Sequence, residues 1–149
     1  MVNALRRLAA FCLSMALCLG LLTPAASHAD SVRSTDDAVV RRQAAAFMEA
    51  KSRLPELARL VNEDNWTFTR NLIHGPMQEV GREMLYINQS MERSDRKQAD
   101  KLAKSLKSAL ADLDEAARSQ DPLRMQKSYI SVAAGFGAYS NLIPEEALN

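Results

Sequence analysis

Between residues 35 and 140 the apolar positions recur three and four apart, in four stretches. That spacing places side chains on one face of a helix with 3.6 residues per turn. The first stretch carries Val40, Ala44, Phe47, Leu54, Leu57 and Val61, after an acidic start at Thr35-Asp36-Asp37 that suits a helix N-terminus. The second carries Trp66, Ile73, Met77, Val80, Met84, Ile87 and Met91, with Asn65 placed as its N-cap. The third carries Ala99, Leu102, Ala103, Leu106, Leu110, Leu113 and Ala117, opened by Ser94-Asp95. The fourth carries Met125, Tyr129, Val132, Phe136 and Tyr139. Asp121 offers it a capping carboxylate, and Pro122 stands where a missing N–H costs nothing. No stretch alternates with the period of two that a strand requires. The links, around Glu63-Asp64, Ser94 and Ser119-Gln120, are short, and short links make successive helices antiparallel neighbours. The pattern predicts an all-α fold, a four-helix up-down-up-down bundle.

Two prolines interrupt this pattern. Pro55 removes a backbone hydrogen bond and crowds the preceding turn, so either the first helix bends there or Phe47 and its neighbours form a separate segment. In the second stretch, NLIHGPMQEV places His74 directly before Gly75-Pro76. The apolar phase passes through this pair without slipping. A loop usually resets the phase, whereas a proline kink tilts the axis and keeps the face. The expectation is one bent but continuous helix.

Residues 1–29 read as a leader to be removed. Arg6 and Arg7 precede a fifteen-residue apolar run from Leu8 to Leu22, and Ser27-His28-Ala29 fits the small-x-small cleavage pattern. The run is short for a membrane span, which needs about 20 residues. Two arginines alone are a weak mark of twin-arginine export. Cys12 and Cys18, the chain's two cysteines, both lie in the leader, and Leu17 before Cys18 is a poor lipidation context. Removing 29 of 149 residues leaves 120, residues 30–149, which suit a single domain. That domain begins with a polar, disordered tether from Asp30 to Ser34. With no cysteine it has no disulfide, thiolate metal site or cysteine nucleophile. Without Arg6 and Arg7 the nineteen basic residues become 17, against 18 acidic. This balance lacks the basic excess of a nucleic-acid binder.

Catalytic and cofactor patterns are missing as well. Di-iron bundles need Glu-x-x-His pairs, and no Glu here stands three before a His. His74 is the only histidine after the leader, too few for a histidine zinc site, and no EF-hand spacing occurs. No nucleophile elbow, P-loop or dinucleotide fingerprint is present. Gly135-Phe136-Gly137 lies inside a helical pattern, where Ala133, Ala134, Gly137 and Ala138 would let another helix approach closely. The residues therefore point to a protein that is not an enzyme and holds no cofactor or metal of its own.

Two features stand apart. Asp114 lies at the edge of the third helix's apolar face and needs a partner, because an unpaired buried carboxylate is costly. Tyr129, Tyr139 or the Trp66 N–H could supply the donor, which makes these four residues structural candidates. Arg93, Arg96, Lys97, Lys101, Lys104 and Lys107 form a basic stripe, broken mainly by Asp100, roughly opposite the same helix's apolar face. A solvated helix face is the usual fate of such charge. Docking onto an acidic surface is the functional alternative, and the His74-Gly75-Pro76 region is a second candidate contact.

The stretches NWTFTRNLIHGPMQEV, ALADLDEAARSQD and SYISVAAGFGAYSNLIP resemble the PsbQ family of photosystem II extrinsic proteins, most nearly its cyanobacterial branch. The resemblance rests on Trp66, Ile73 to Pro76, Leu113 to Ala117, Tyr129 and Ile143-Pro144. It implies a four-helix up-down bundle in the thylakoid lumen, peripheral to the membrane and monomeric on its own. It further implies binding to the photosystem II core and other lumenal extrinsic subunits, supporting calcium and chloride retention at the oxygen-evolving centre. Many cyanobacterial members resemble lipoproteins, and here the poor lipobox implies attachment by protein contacts. Without the resemblance, the residues alone leave open a periplasmic helical bundle that carries a ligand or metal, or a chaperone-like protein.

Overall fold

A computed structural model describes the chain from Ala26 to Leu148, and among these residues the regular structure is entirely helical. The elements are α1 (Ala26–Ser52), α2 (Leu54–Asn62), α3 (Trp66–His74), α4 (Val80–Ser90), α5 (Arg93–Arg118), α6 (Pro122–Ser140) and a 3-10 turn at Glu145–Ala147. Residues 1–25, with most of the expected leader and both cysteines, lie outside the described residues. The expected tether does not appear: Asp30 to Ser34 are helical, and Thr35-Asp36-Asp37 lie inside α1 rather than at its start. The residues from Thr35 onward form one compact unit.

The first two predicted helices are each divided in two, at their prolines. Pro55 has no N–H for the carbonyl of Lys51, so α1 ends at Ser52. Arg53 makes the turn, and Pro55 falls in the first turn of α2, where its missing donor is harmless. The ladder resumes as Leu57 N–H donates to the Arg53 carbonyl at 3.0 Å.

The expectation of a continuous, kinked second helix is corrected. Helix α3 stops at His74, and residues 75–79 form a run of turns before α4 begins. Pro76 cannot donate to the Leu72 carbonyl, which instead accepts from Met77 N–H at 3.2 Å, one residue wider than a helical bond. Gln78 N–H then closes a tight turn on Gly75 O at 3.1 Å. A Cβ on residue 75 would lie 2.8 Å from the Asn71 carbonyl oxygen, so glycine is required by contact. The apolar phase survives because the turns keep winding. Leu72, Ile73, Met77, Val80, Met84 and Ile87 are all buried.

The remaining long links share one design. Asp64 and Gln120 take left-handed backbone conformations, with φ 50 and 53°. The residue after each donates back five positions, Asn65 N–H to Leu60 O at 2.9 Å and Asp121 N–H to Ala116 O at 3.0 Å. This geometry closes a helix by satisfying its last carbonyls. Asn65 and Asp121 then cap the next helix, accepting from Phe68 N–H at 3.3 Å and Arg124 N–H at 3.0 Å. Both caps were legible in the sequence.

Helix α5 packs along α6 and also meets α3 and α4, while α2 meets α6 and α3. Phe47 of α1 stacks on α6, with ring centroids 5.3 Å from Phe136 and 4.9 Å from Tyr139. The close approach of α5 to α6 occurs at Gly135, where a Cβ would lie 3.0 Å from Leu106 Cδ1. Gly137, expected at such a contact, faces open space, and Ala134 and Ala138 are exposed. Tyr139 is fully buried and spans the unit to α4, its hydroxyl 3.0 Å from the Met84 carbonyl and 2.5 Å from Asn88 Oδ1. Asn88 Nδ2 donates onward to Asp100 of α5 at 2.7 Å. A carboxylate only accepts, which places the amide nitrogen toward Asp100 and the amide oxygen toward the phenol.

Candidate functional site

The carboxylate expected to seek a tyrosine or the indole finds other partners. Asp114 Oδ1 accepts from Arg70 Nε at 3.0 Å and lies 2.8 Å from His74 Nε2. Tyr139 is committed to Met84 and Asn88. Tyr129 packs at the margin of the core with Trp66, which also lines a polar hollow of about 290 Å³ beside Arg70, His74 and Arg118. His74, which had no partner in the sequence, is therefore half of a tie between α3 and α5. Arg70 was missed. Its signal was present: it stands four residues before His74, one turn back on the same helix face.

Burial raises the Asp114 carboxyl, but hydrogen bonds and charge from Arg70 and His74 outweigh it and hold the group below its ordinary 3.8. A depressed folded-state pKa contributes stability that is complete above the unfolded value and is lost as pH falls through the folded one. Acid titration below about pH 4 should therefore lower the melting temperature through this group. Asp114→Asn should lack that component, measured as melting temperature against pH. Parallel curves for the two proteins would contradict the assignment.

The six cations of the stripe are all exposed on α5. Arg96 is not available for docking. It donates to the Asn88, Gln89 and Met91 carbonyls at 3.0, 2.7 and 3.0 Å, clamping the end of α4. Arg93, Lys97, Lys101, Lys104 and Lys107 make no ion pair or hydrogen bond with a described residue. Elsewhere Arg53, Arg59, Arg82 and Arg118 each lie within 3.5 Å of a carboxylate on a neighbouring turn. Five of the six cations of the stripe are therefore without a carboxylate partner among the described residues.

The two candidate contacts meet. Lys107 and His74 line one hollow of about 310 Å³ with Ile73, Met77, Gly81, Leu110, Ala111 and Asp114. The Lys107 methylenes cover Gly81, where a Cβ would come within 3.3 Å of Lys107 Cδ. Pro76 faces elsewhere, lining a groove of about 440 Å³ with Leu60, Phe68 and Leu72. Gly75 and Pro76 thus shape the turn, and His74 belongs to the surface beside the stripe.

Among the described residues, no group of three or more His, Cys, Asp or Glu side chains is arranged to hold a metal. No described helix is long and apolar enough to cross a membrane. These features define an all-helical protein whose distinctive surface is one charged helix face beside an apolar hollow. The chain matches the family described as PsbQ, oxygen evolving enhancer protein 3, over residues 24–144, and it belongs to that family. It is also similar to CyanoQ of Synechocystis sp., with 33% identity over 89 residues, which places it in the cyanobacterial branch. The match covers 60% of this chain and 60% of that relative. The resemblance read between Trp66 and Pro144 is borne out.

Proposed function

We propose that this protein is an extrinsic subunit of photosystem II, peripheral on the lumenal side of the thylakoid membrane, and that it acts by binding rather than catalysis. Membership of an oxygen-evolving enhancer family supports the assignment, and the α5 cations that pair with no described carboxylate are the observation that carries the mode of action. Exposed charge without a local partner steers association and sets orientation. In this reading α1 with α2, α3 with α4, α5 and α6 are the four members of an up-down-up-down bundle. Residues 1–29 are an export signal, cleaved to leave Asp30 first. Docking on the core and its neighbouring extrinsic subunits shields the oxygen-evolving centre and so supports calcium and chloride retention indirectly.

Photosystem II purified from solubilised thylakoids at low salt should retain the chain and lose it as salt rises. Exchanging Lys97, Lys101 and Lys104 together for glutamate should weaken association about 10- to 100-fold, taking roughly 0.5–1 kcal/mol for each exposed contact. Absence of the wild-type chain from low-salt complexes would sink the assignment. Wild-type affinity in the charge-reversed protein would sink the docking face.

A further inference from the structure

We propose that the α5 face from Lys97 to Ala111 and the adjoining hollow receive a single segment of a partner protein. That segment is acidic along its length and carries one apolar side chain at the end that meets Ala111. The inference rests on the photosystem II reading and specifies the chemistry of the contact.

The placement is continuous. Lys97, Lys101, Lys104, Lys107 and Ala111 follow one another at three- and four-residue spacing, so they share one face of the helix. The row then runs into the hollow, which Lys107 and Ala111 both line. At about 1.5 Å per residue the cationic track from Lys97 to Lys107 spans roughly 15 Å, and the whole row to Ala111 roughly 20 Å. An extended chain of about six residues covers that length, as does a helix of matching length.

None of the four lysines forms an ion pair with a described residue, and the carboxylate that shares their face, Asp100, accepts from Asn88 Nδ2 at 2.7 Å, so the track is complementary to carboxylates. The hollow asks for a different group. Its floor is Ile73, Met77 and Leu110, and its wall is the alkyl stem of Lys107 over Gly81. Of its polar lining, His74 and Asp114 are already paired with each other at 2.8 Å, while Gln78 and Lys107 are exposed to solvent. A polar group seated against His74 and Asp114 would compete with that pairing, whereas an apolar side chain over Ile73, Met77 and Leu110 leaves it intact and removes apolar surface from water. A narrow row of cations ending at a hollow of about 310 Å³ matches a peptide segment better than a flat layer of lipid headgroups.

The test uses the full chain and photosystem II cores stripped of their extrinsic subunits, with affinity measured across a salt series. Ala111→Phe fills the hollow from an exposed position and should weaken binding about tenfold at every salt concentration, as loss of a buried anchor does. The slope of affinity against salt should stay as in the wild type. The triple glutamate variant at Lys97, Lys101 and Lys104 should instead flatten that slope. Wild-type affinity in Ala111→Phe overturns the hollow's role while leaving the photosystem II reading standing. Failure of the wild-type chain to bind the cores overturns that reading itself. Phosphatidylglycerol vesicles that bind the chain with the same sensitivity to Ala111→Phe would make the occupant a lipid and overturn the protein segment. A photo-crosslinker at position 111 keeps the test decisive should Ala111→Phe melt early. It should capture an acidic peptide of a core or extrinsic subunit, and capture of a segment without carboxylates would count against the proposal.

Discussion

Tyr139→Ala should cost about 3–5 kcal/mol, the loss expected when a large buried aromatic is truncated. The melting temperature should fall by ~10–20 °C. Tyr139 is fully buried, stacks on Phe47 with centroids 4.9 Å apart, and reaches Met84 and Asn88 through its hydroxyl. Burial, and then the charge of Asp100, push the phenol well above its ordinary 10.0, so it stays protonated and keeps its donor. Tyr139→Phe separates the two contributions. It retains the ring and leaves Asn88 Oδ1 without its donor, which should cost about 1–3 kcal/mol. Equal melting temperatures for Tyr139→Phe and the wild type would mean that the hydroxyl contributes nothing net. Thermal and denaturant melts of the three proteins decide the matter.

The second large effect separates two glycines that look alike in sequence. Gly135→Val should destabilise by about 2–3 kcal/mol, since a Cβ there already meets Leu106 at 3.0 and 3.3 Å and a branched side chain adds overpacking. Leu106 is fully buried and has little room to yield. Gly137→Ala should do the opposite. Nothing lies within 4 Å of its added Cβ, so the gain in helix propensity, up to about 1 kcal/mol, is unopposed. Denaturant midpoints for the pair test this contrast. Stabilisation by Gly135→Val would show that α5 and α6 can move apart at no cost.

Helix type and helix ends were legible because they depend on local chemistry. Asn65 and Asp121 cap as expected, since a short side-chain acceptor reaches the exposed N–H groups of its own helix without tertiary help. The core of α5 was likewise readable from its period. The kink at Gly75-Pro76 was misread for a definite reason. Phase continuity in the apolar positions is compatible with a helix or with successive turns, and only the Leu72 carbonyl's shift to Met77 N–H distinguishes them. The start of α1 was misplaced because acidic residues favour a helix N-terminus without requiring one.

At the candidate site the sequence supplied the residues singly. It marked Asp114 as needing a partner and His74 as lacking one, but they stand 40 positions apart and no local signal shows that they meet. It marked six cations as equivalent, although Arg96 folds back onto three carbonyls while the other five hold no such bond to a described residue. By itself the sequence determined the helical class, the caps and the family, because these follow from short-range periodicity and motif. Only the tertiary structure decided which carboxylate His74 engages, which glycine admits a helix, and that the lysine row ends at an apolar hollow. Those outcomes depend on distances between elements far apart in the chain, which packing sets and local pattern does not encode.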